Sequence, residues 1–286
     1  MPNIDLFESQ FRAAAKPKYL HRPRVLKSVL VVTDLPADAA KAYAERARPM
    51  VTFGPHSPVL TVLSADETRD LGALLDAVKA AAPDIVVTYR CLHSAAWKWP
   101  YTIGDHVEVL TQVTDAPVLL LPRVDTGDAS ADPLHPPRVV LAITDHVVGE
   151  ERLVQWAAAM CPAQQWLVLA HVEDEATFDR YMEIISKVPD VDTDVAHREI
   201  QSRLQRDAHD WIASCKVALE ETLGEDAPRV EDVVMIGRRM STYTALVARR
   251  EADLLVLNTK DADQMAIHGM AYPLMVEMRQ IPLLLL

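Results

Sequence analysis

Three cysteines, Cys91, Cys161 and Cys215, are spread over 286 residues, and no two form a C-x-x-C pair. So sparse and odd a count excludes a disulfide frame and fits reduced thiols in a cytoplasmic protein. Long apolar runs are also missing. PVLLLP at 117–122 and the run from Leu283 to Leu286 fall far short of the roughly 20 residues a membrane helix needs. The opening stretch, MPNIDLFESQFRAAAKPKYL, has no continuous apolar segment of signal-peptide kind, so a cytoplasmic location is expected. There are ten histidines, but no H-E-x-x-H and no paired Cys/His ligand spacing. Cys91 and His93 stand closest, and two ligands make no site, so no metal is expected. The nucleophile elbow G-x-S-x-G, the phosphate loop G-x-x-x-x-G-K-S/T and the dinucleotide turn G-x-G-x-x-G are all lacking. A surplus of positive charge is lacking too. Lys and Arg number 29 against 41 Asp and Glu, for a formal net charge of −12. That balance argues against a nucleic-acid backbone or an anionic membrane as the main partner.

What is present suits folded cores. Half the residues are apolar and 24% are charged, which excludes wholesale disorder, and the length fits two domains. A repeat runs through the chain. SVLVVTD ends at Asp34 and VVLAITD ends at Asp145, each an apolar run of strand length closed by Thr-Asp. Such runs suit strands buried on both faces of a parallel sheet. A helix period follows each, through Ala40, Tyr43, Ala44 and Ala47 in the first half and Leu153, Trp156, Ala157 and Met160 in the second. PDIVVTYR matches ADLLVLNTK, both with an Asp (Asp84, Asp253) just before the strand. Gly104 precedes Pro117 by 13 residues, and Gly269 precedes Pro282 by 13, each proline opening a Leu-rich strand.

Asp34 lies 111 residues before Asp145, whereas Asp84 lies 169 before Asp253, so the second half carries about 58 extra residues. They hold the strand runs QWLVLAHVE and VEDVVMIG and a polar helical stretch at 197–223. The reading is therefore an α/β chain of two doubly wound parallel sheets in tandem, with four strands in the first and five in the second. The boundaries are an N-terminal segment at 1–24, a shortened domain at 25–123, a Pro/Gly/Asp/Ser-rich linker at 124–137 and a full domain at 138–286.

The order VLAITDH, LVLAHVE, VVMIG, ADLLVLNTK and HGM…IPLLLL resembles a universal stress protein domain. The run VLVVTDLP…PDIVVTYR…IGDHVEVL…APVLLLP resembles a shortened second copy. The resemblance implies a Rossmann-like sheet of order 3-2-1-4-5, often paired through its fifth strand. For the first half it leaves 2-1-4-5, with 58–64 beside 29–33, because losing an edge strand keeps the ladder intact. The near-wholly apolar fifth strands, from Val118 to Leu121 and from Leu283 to Leu286, should not face water. They are expected to pair with each other inside one chain, or across a homodimer.

In nucleotide-binding relatives of this kind, an Asp after strand one and a backbone group after strand two hold adenosine. Asp145 and Val172 match those positions, and Asp34 matches in the first half. A loop of the form G-x2-G-x9-G-S/T after strand four cradles the triphosphate through its backbone amides. Both loops of this chain depart from it. Asn258 and Asp261 stand at the first two glycine positions of the second half, seven residues precede Gly269, and Met270 takes the hydroxyl position. In the first half Tyr89 and Leu92 replace the glycines, eleven residues precede Gly104, and Asp105 takes the hydroxyl position. Asp105, Asp261 and Asp263 would repel phosphate. Each position also has a plainer role open to it. Asp34 and Asp145 suit helix caps, Gly104 and Gly269 suit tight turns, and Arg238 and Arg239 suit a solvated pair. Trp97 and Trp99 suit filling of a crevice or anchoring of a partner.

The resemblance and the altered loops together imply a non-enzymatic, cytoplasmic stress-response or regulatory protein acting through an unidentified protein partner, with ATP or AMP bound weakly or not at all. The alternative is an adenine-nucleotide-binding regulator using the second half, with Arg238, Arg239 or Lys260 serving as an anion clamp. A third reading, slow nucleotide hydrolysis, rests on analogy alone. Leu6, Phe7, Phe11 and Ala14 give a short amphipathic helix that suits docking on its own domain or on another protein.

Overall fold

The computed structural model describes residues 18–53, 57–98, 101–123, 134–144, 147–189, 191–259 and 271–286. The first half runs β1 (Ser28–Val32), α1 (Ala37–Ala47), β2 (Val59–Leu63), α2 (Ala65–Thr68), α3 (Leu71–Ala81), β3 (Ile85–Tyr89), α4 (Asp105–Val113) and β4 (Val118–Leu121). The second half runs β5 (Val139–Thr144), α5 (Glu151–Ala159), β6 (Trp166–Asp174), α6 (Glu175–Ile185), α7 (Thr193–Leu223), β7 (Arg229–Gly237), α8 (Arg239–Arg250), β8 (Leu254–Leu257), α9 (Ala271–Glu277) and β9 (Leu283–Leu285).

The nine strands among the described residues form one sheet in the order β2-β1-β3-β4-β9-β8-β5-β6-β7. Each half is parallel within itself, and the join, β4 to β9, is antiparallel with Leu119 opposite Leu284. The first half therefore has the order 2-1-4-5 and the second 3-2-1-4-5. The tandem copies are not two separate sheets. The reason lies in the leucines. Leu119, Leu120 and Leu121 and Leu283, Leu284 and Leu285 are each at most 1% exposed. A fully buried leucine contributes roughly 1.5–3 kcal/mol. Two such edges left in water would forfeit that and leave a row of unpaired amides.

The helices place their expected stripes inward. Ala40, Tyr43, Ala44 and Ala47 are the buried residues of α1, and Leu153, Trp156 and Ala157 are buried on α5. The Asp before each fourth-position strand proves to be a register pin. Asp84 Oδ2 accepts from the backbone N–H groups of Lys27 and Ser28, and Asp253 Oδ2 accepts from those of Arg138 and Val139. Each carboxylate thus fixes where β1 or β5 begins. The extra chain of the second half forms β7, α6 and the 31-residue α7, of which only the stretch from Ala208 to Leu219 carries buried residues.

Three further ties join the halves. The first is a strap ahead of β1, where Tyr19 is buried edge-on against Trp211 of α7 and its N–H donates to Ser214 Oγ at 3.2 Å. The second is Arg90, 5% exposed, whose guanidinium donates to the carbonyls of Met275 and Met278 and so caps the end of α9. Burial lowers its pKa to about 10. The third is Tyr272 of α9, whose hydroxyl donates to Glu108 of α4 at 2.7 Å. Among the described residues no helix is long and apolar enough to cross a membrane. Residues 1–17 of the N-terminal segment, with Leu6, Phe7, Phe11 and Ala14, lie outside the described residues, as does most of the linker.

Candidate functional site

Parallel sheets bind ligands beyond their strand C-termini, where strand order reverses. In the first half that crevice lies between the ends of β1 and β3. Asp34, two residues past β1, does not face it freely. The Tyr89 hydroxyl donates to one oxygen of the Asp34 carboxylate, and Tyr89 also accepts from the Asp34 N–H at 3.0 Å. The other carboxylate oxygen accepts from the His93 N–H at 2.9 Å. Burial first, and the Asp34 carboxylate second, push the Tyr89 hydroxyl above its ordinary pKa, so it stays a donor. The Arg123 guanidinium sits over the Tyr89 ring at 5.9 Å and donates to the Cys91 carbonyl at 2.9 Å.

The loop after β3 is folded down into its own crevice. Cys91 and His93 adopt left-handed backbone angles, with φ of 59° and 54°. Leu92, at the second glycine position, is fully buried. The Cys91 N–H donates to the Ile103 carbonyl at 2.7 Å. His93 Nε2 meets the Thr68 hydroxyl at 2.7 Å, and that hydroxyl donates to the Thr33 carbonyl at 2.7 Å. With its one hydrogen so used, the hydroxyl accepts, which assigns the His93 proton to Nε2. Burial lowers the His93 pKa, so this ring is neutral near pH 7. Gly104 has a steric role. Its φ is 95°, and a Cβ there would stand 2.7 Å from Cys91 Cα. The helix that starts after it carries its own acids, Asp105 and Glu108, in its first turn.

In the second half the crevice lies between β5 and β8. Asn258, one residue past β8, donates from Nδ2 to Glu150 Oε2 at 2.8 Å. Tyr89, the last residue of β3, and Asn258, the first residue past β8, occupy matching positions in the repeat. Each reaches across its switch point to a carboxylate on the strand-one side. Thr259 turns inward, its N–H and hydroxyl both on the Leu286 carbonyl. Val172 lies in β6, one residue beyond the last pair with β5, Thr144 opposite His171, and is buried. His171 accepts at Nδ1 from the Val147 N–H, which holds the near end of the loop before α5. Arg238 pairs outside the crevice residues, with Glu175 of α6. Its side chain is 88% exposed and lies 3.4 Å from Glu175. Asp145, Gly269, Lys260 and Trp99 lie outside the described residues, as do the side chains of Trp97 and Arg239.

The first-half candidates Asp34 and Gly104 are thus brought together with Tyr89, Leu92 and His93, while Val172, Asn258 and Arg238 do not converge on one point. The sequence gives Asn258 as a candidate nucleotide position and Tyr89 as a replaced glycine, and foresees neither bridge. The signal for their real role was their shared position opposite a carboxylate. Among the described residues no three His, Cys, Asp or Glu side chains are grouped to hold a metal ion.

No protein-family profile and no curated protein match the sequence. Solved structures do match its fold. A proposed universal stress protein from Pseudomonas aeruginosa UCBPP-PA14 superposes with a TM-score of 0.53 at 13% identity, over 92% of this chain and 93% of that one. A protein of unknown function from Pseudomonas aeruginosa PAO1 does so with a TM-score of 0.52 at 13% identity, over 92% of both chains. The chain has the Rossmann-like architecture of universal stress proteins along nearly its whole length.

Proposed function

We propose that this chain is a tandem universal-stress-type protein acting in the cytoplasm as a stress-response or regulatory protein through protein contacts, without catalysis and with nucleotide binding weak or absent. The carrying observation is the bridge across both switch-point crevices, Tyr89 to Asp34 and Asn258 to Glu150. The first engages the Asp34 carboxylate, which matches the adenosine position of the first half, and the second spans the switch point of the second half. Displacing either leaves a polar group without its partner, which costs about 1–3 kcal/mol before any contact with ligand is made. The stress-response role itself is supported by the shared fold.

Calorimetric titration with ATP and AMP, run beside native mass spectrometry of the untreated protein, tests the reading. The expected result is no binding at micromolar concentration and no co-purified nucleotide. Micromolar affinity abolished by Asp145→Ala would replace this reading with an adenine-nucleotide regulator working from the second half.

A further inference from the structure

Because β4 and β9 run antiparallel, the strand starts of the first half lie beside helix α5, which follows the first strand of the second. A cleft of about 680 Å³ opens at that seam. Its walls come from the strap (Arg24, Lys27), from the starts of β3 and β4 (Pro83, Pro117) and from α5 (Arg152, Trp156). It is remote from the first half's crevice, and neither Asn258, Val172 nor Glu150 lines it.

The charge of this cleft runs against that of the molecule. Three cations line it in a chain of net charge −12. Among the described residues none of the three has a carboxylate within ion-pair distance. Of the two acids on the wall, Asp84 is already engaged by the Lys27 and Ser28 amides, and Asp115 offers Arg152 its backbone carbonyl at a long 3.5 Å. Arg24 lies over the Trp156 ring at 4.9 Å. Arg152 stands close enough to feel the Arg24 charge; burial first, and that repulsion second, lower its pKa against the weaker opposing pull of the Asp115 charge. Two guanidiniums held near each other with no bridging carboxylate form a cradle that a bound anion would complete. The apolar part of the lining, Trp156 with the prolines, is suited to a carbon skeleton. A volume of this size lies within the range of small-molecule sites.

We propose that this seam cleft binds a small organic anion, its carboxylate or phosphate between Arg24 and Arg152 and its body against Trp156. The site shares no lining residue with the bridges Tyr89–Asp34 and Asn258–Glu150 and draws on both halves, so a ligand there clamps the seam. Calorimetry of the full chain with phenyl phosphate and with benzoate tests it, since the two probes share a body and differ in the anion. Binding of either probe is expected, weakened roughly tenfold or more by the double variant Arg24→Gln/Arg152→Gln, a loss of about 1.4 kcal/mol or more. Arg203→Gln, at an exposed arginine of α7 that pairs with Asp207 and does not line the cleft, should leave it unchanged. Thermal melts of each variant confirm that the fold is kept. No heat with either probe at millimolar concentration, or equal binding by the double variant, overturns the proposal.

Discussion

At Gly104 the requirement for glycine is double, and the two parts can be separated. Its φ of 95° disfavours any side chain, and its Cβ position is taken by the Cys91 backbone. Gly149 has a similar φ of 89° with nothing within 4 Å of its Cβ position. Gly149→Ala should therefore cost only the backbone strain, about 1 kcal/mol. Gly104→Ala should cost about 3 kcal/mol, because backbone atoms cannot swing aside as a side chain can. Urea denaturation of the two variants measures the difference. Equal losses would show that the loop after β3 is not clamped against Gly104. The clamp matters because that same loop carries Leu92 and His93 into the crevice where a ligand would sit.

Among the elements, the strands read most easily from sequence, since each is a β-branched or Leu-rich run buried on both faces. The repeat arithmetic gives one strand fewer in the first half and the ladder argument puts the loss at the edge, and β2 does pair β1 alone, Ser28 opposite Val59. Helix α6 escaped notice. It buries only Phe178 and Met182, too few to mark a stripe. The crevice bridges escaped as well, because Tyr89 and Asp34 are 55 residues apart and nothing local announces their contact. The leucine strands were legible by the opposite logic, as a local run with no tolerable place in water. Leu284 is flanked by Leu119 on one side and Val256 on the other, and is fully buried. Leu284→Lys should lose on the order of 4 kcal/mol or fail to fold, since a buried charge there has no partner. Leu284→Met, which keeps the volume, should lose less than about 1.5 kcal/mol. A soluble Leu284→Lys protein with an unchanged denaturation midpoint would mean that the join between the halves opens freely.

For the whole molecule the question is whether two copies sharing one sheet still behave as two. The join is an antiparallel ladder in which Val118, Leu119 and Leu120 face Leu285, Leu284 and Leu283, and it is reinforced from both directions. The strap ahead of β1 is anchored by Tyr19 on α7, while Arg90 and Tyr89's own half reach back to cap α9 and receive Tyr272. Unfolding the first half alone would expose β9, empty the pocket of Tyr19 and strip α9 of its cap. Each loss falls on the second half, so the two should unfold together. Tryptophan provides the readout, for Trp156, Trp166 and Trp211 all belong to the second half. In a background of Trp97→Phe and Trp99→Phe, fluorescence then reports that half only. Leu30→Ala in β1, at a site 1% exposed in the first half, should cost roughly 2–5 kcal/mol. The expected outcome is that the fluorescence midpoint in urea falls with the far-UV circular dichroism midpoint, by the same amount. A fluorescence midpoint that stays in place while the dichroism splits into two steps would show that the halves melt separately, each holding its own sheet after the leucine ladder has parted.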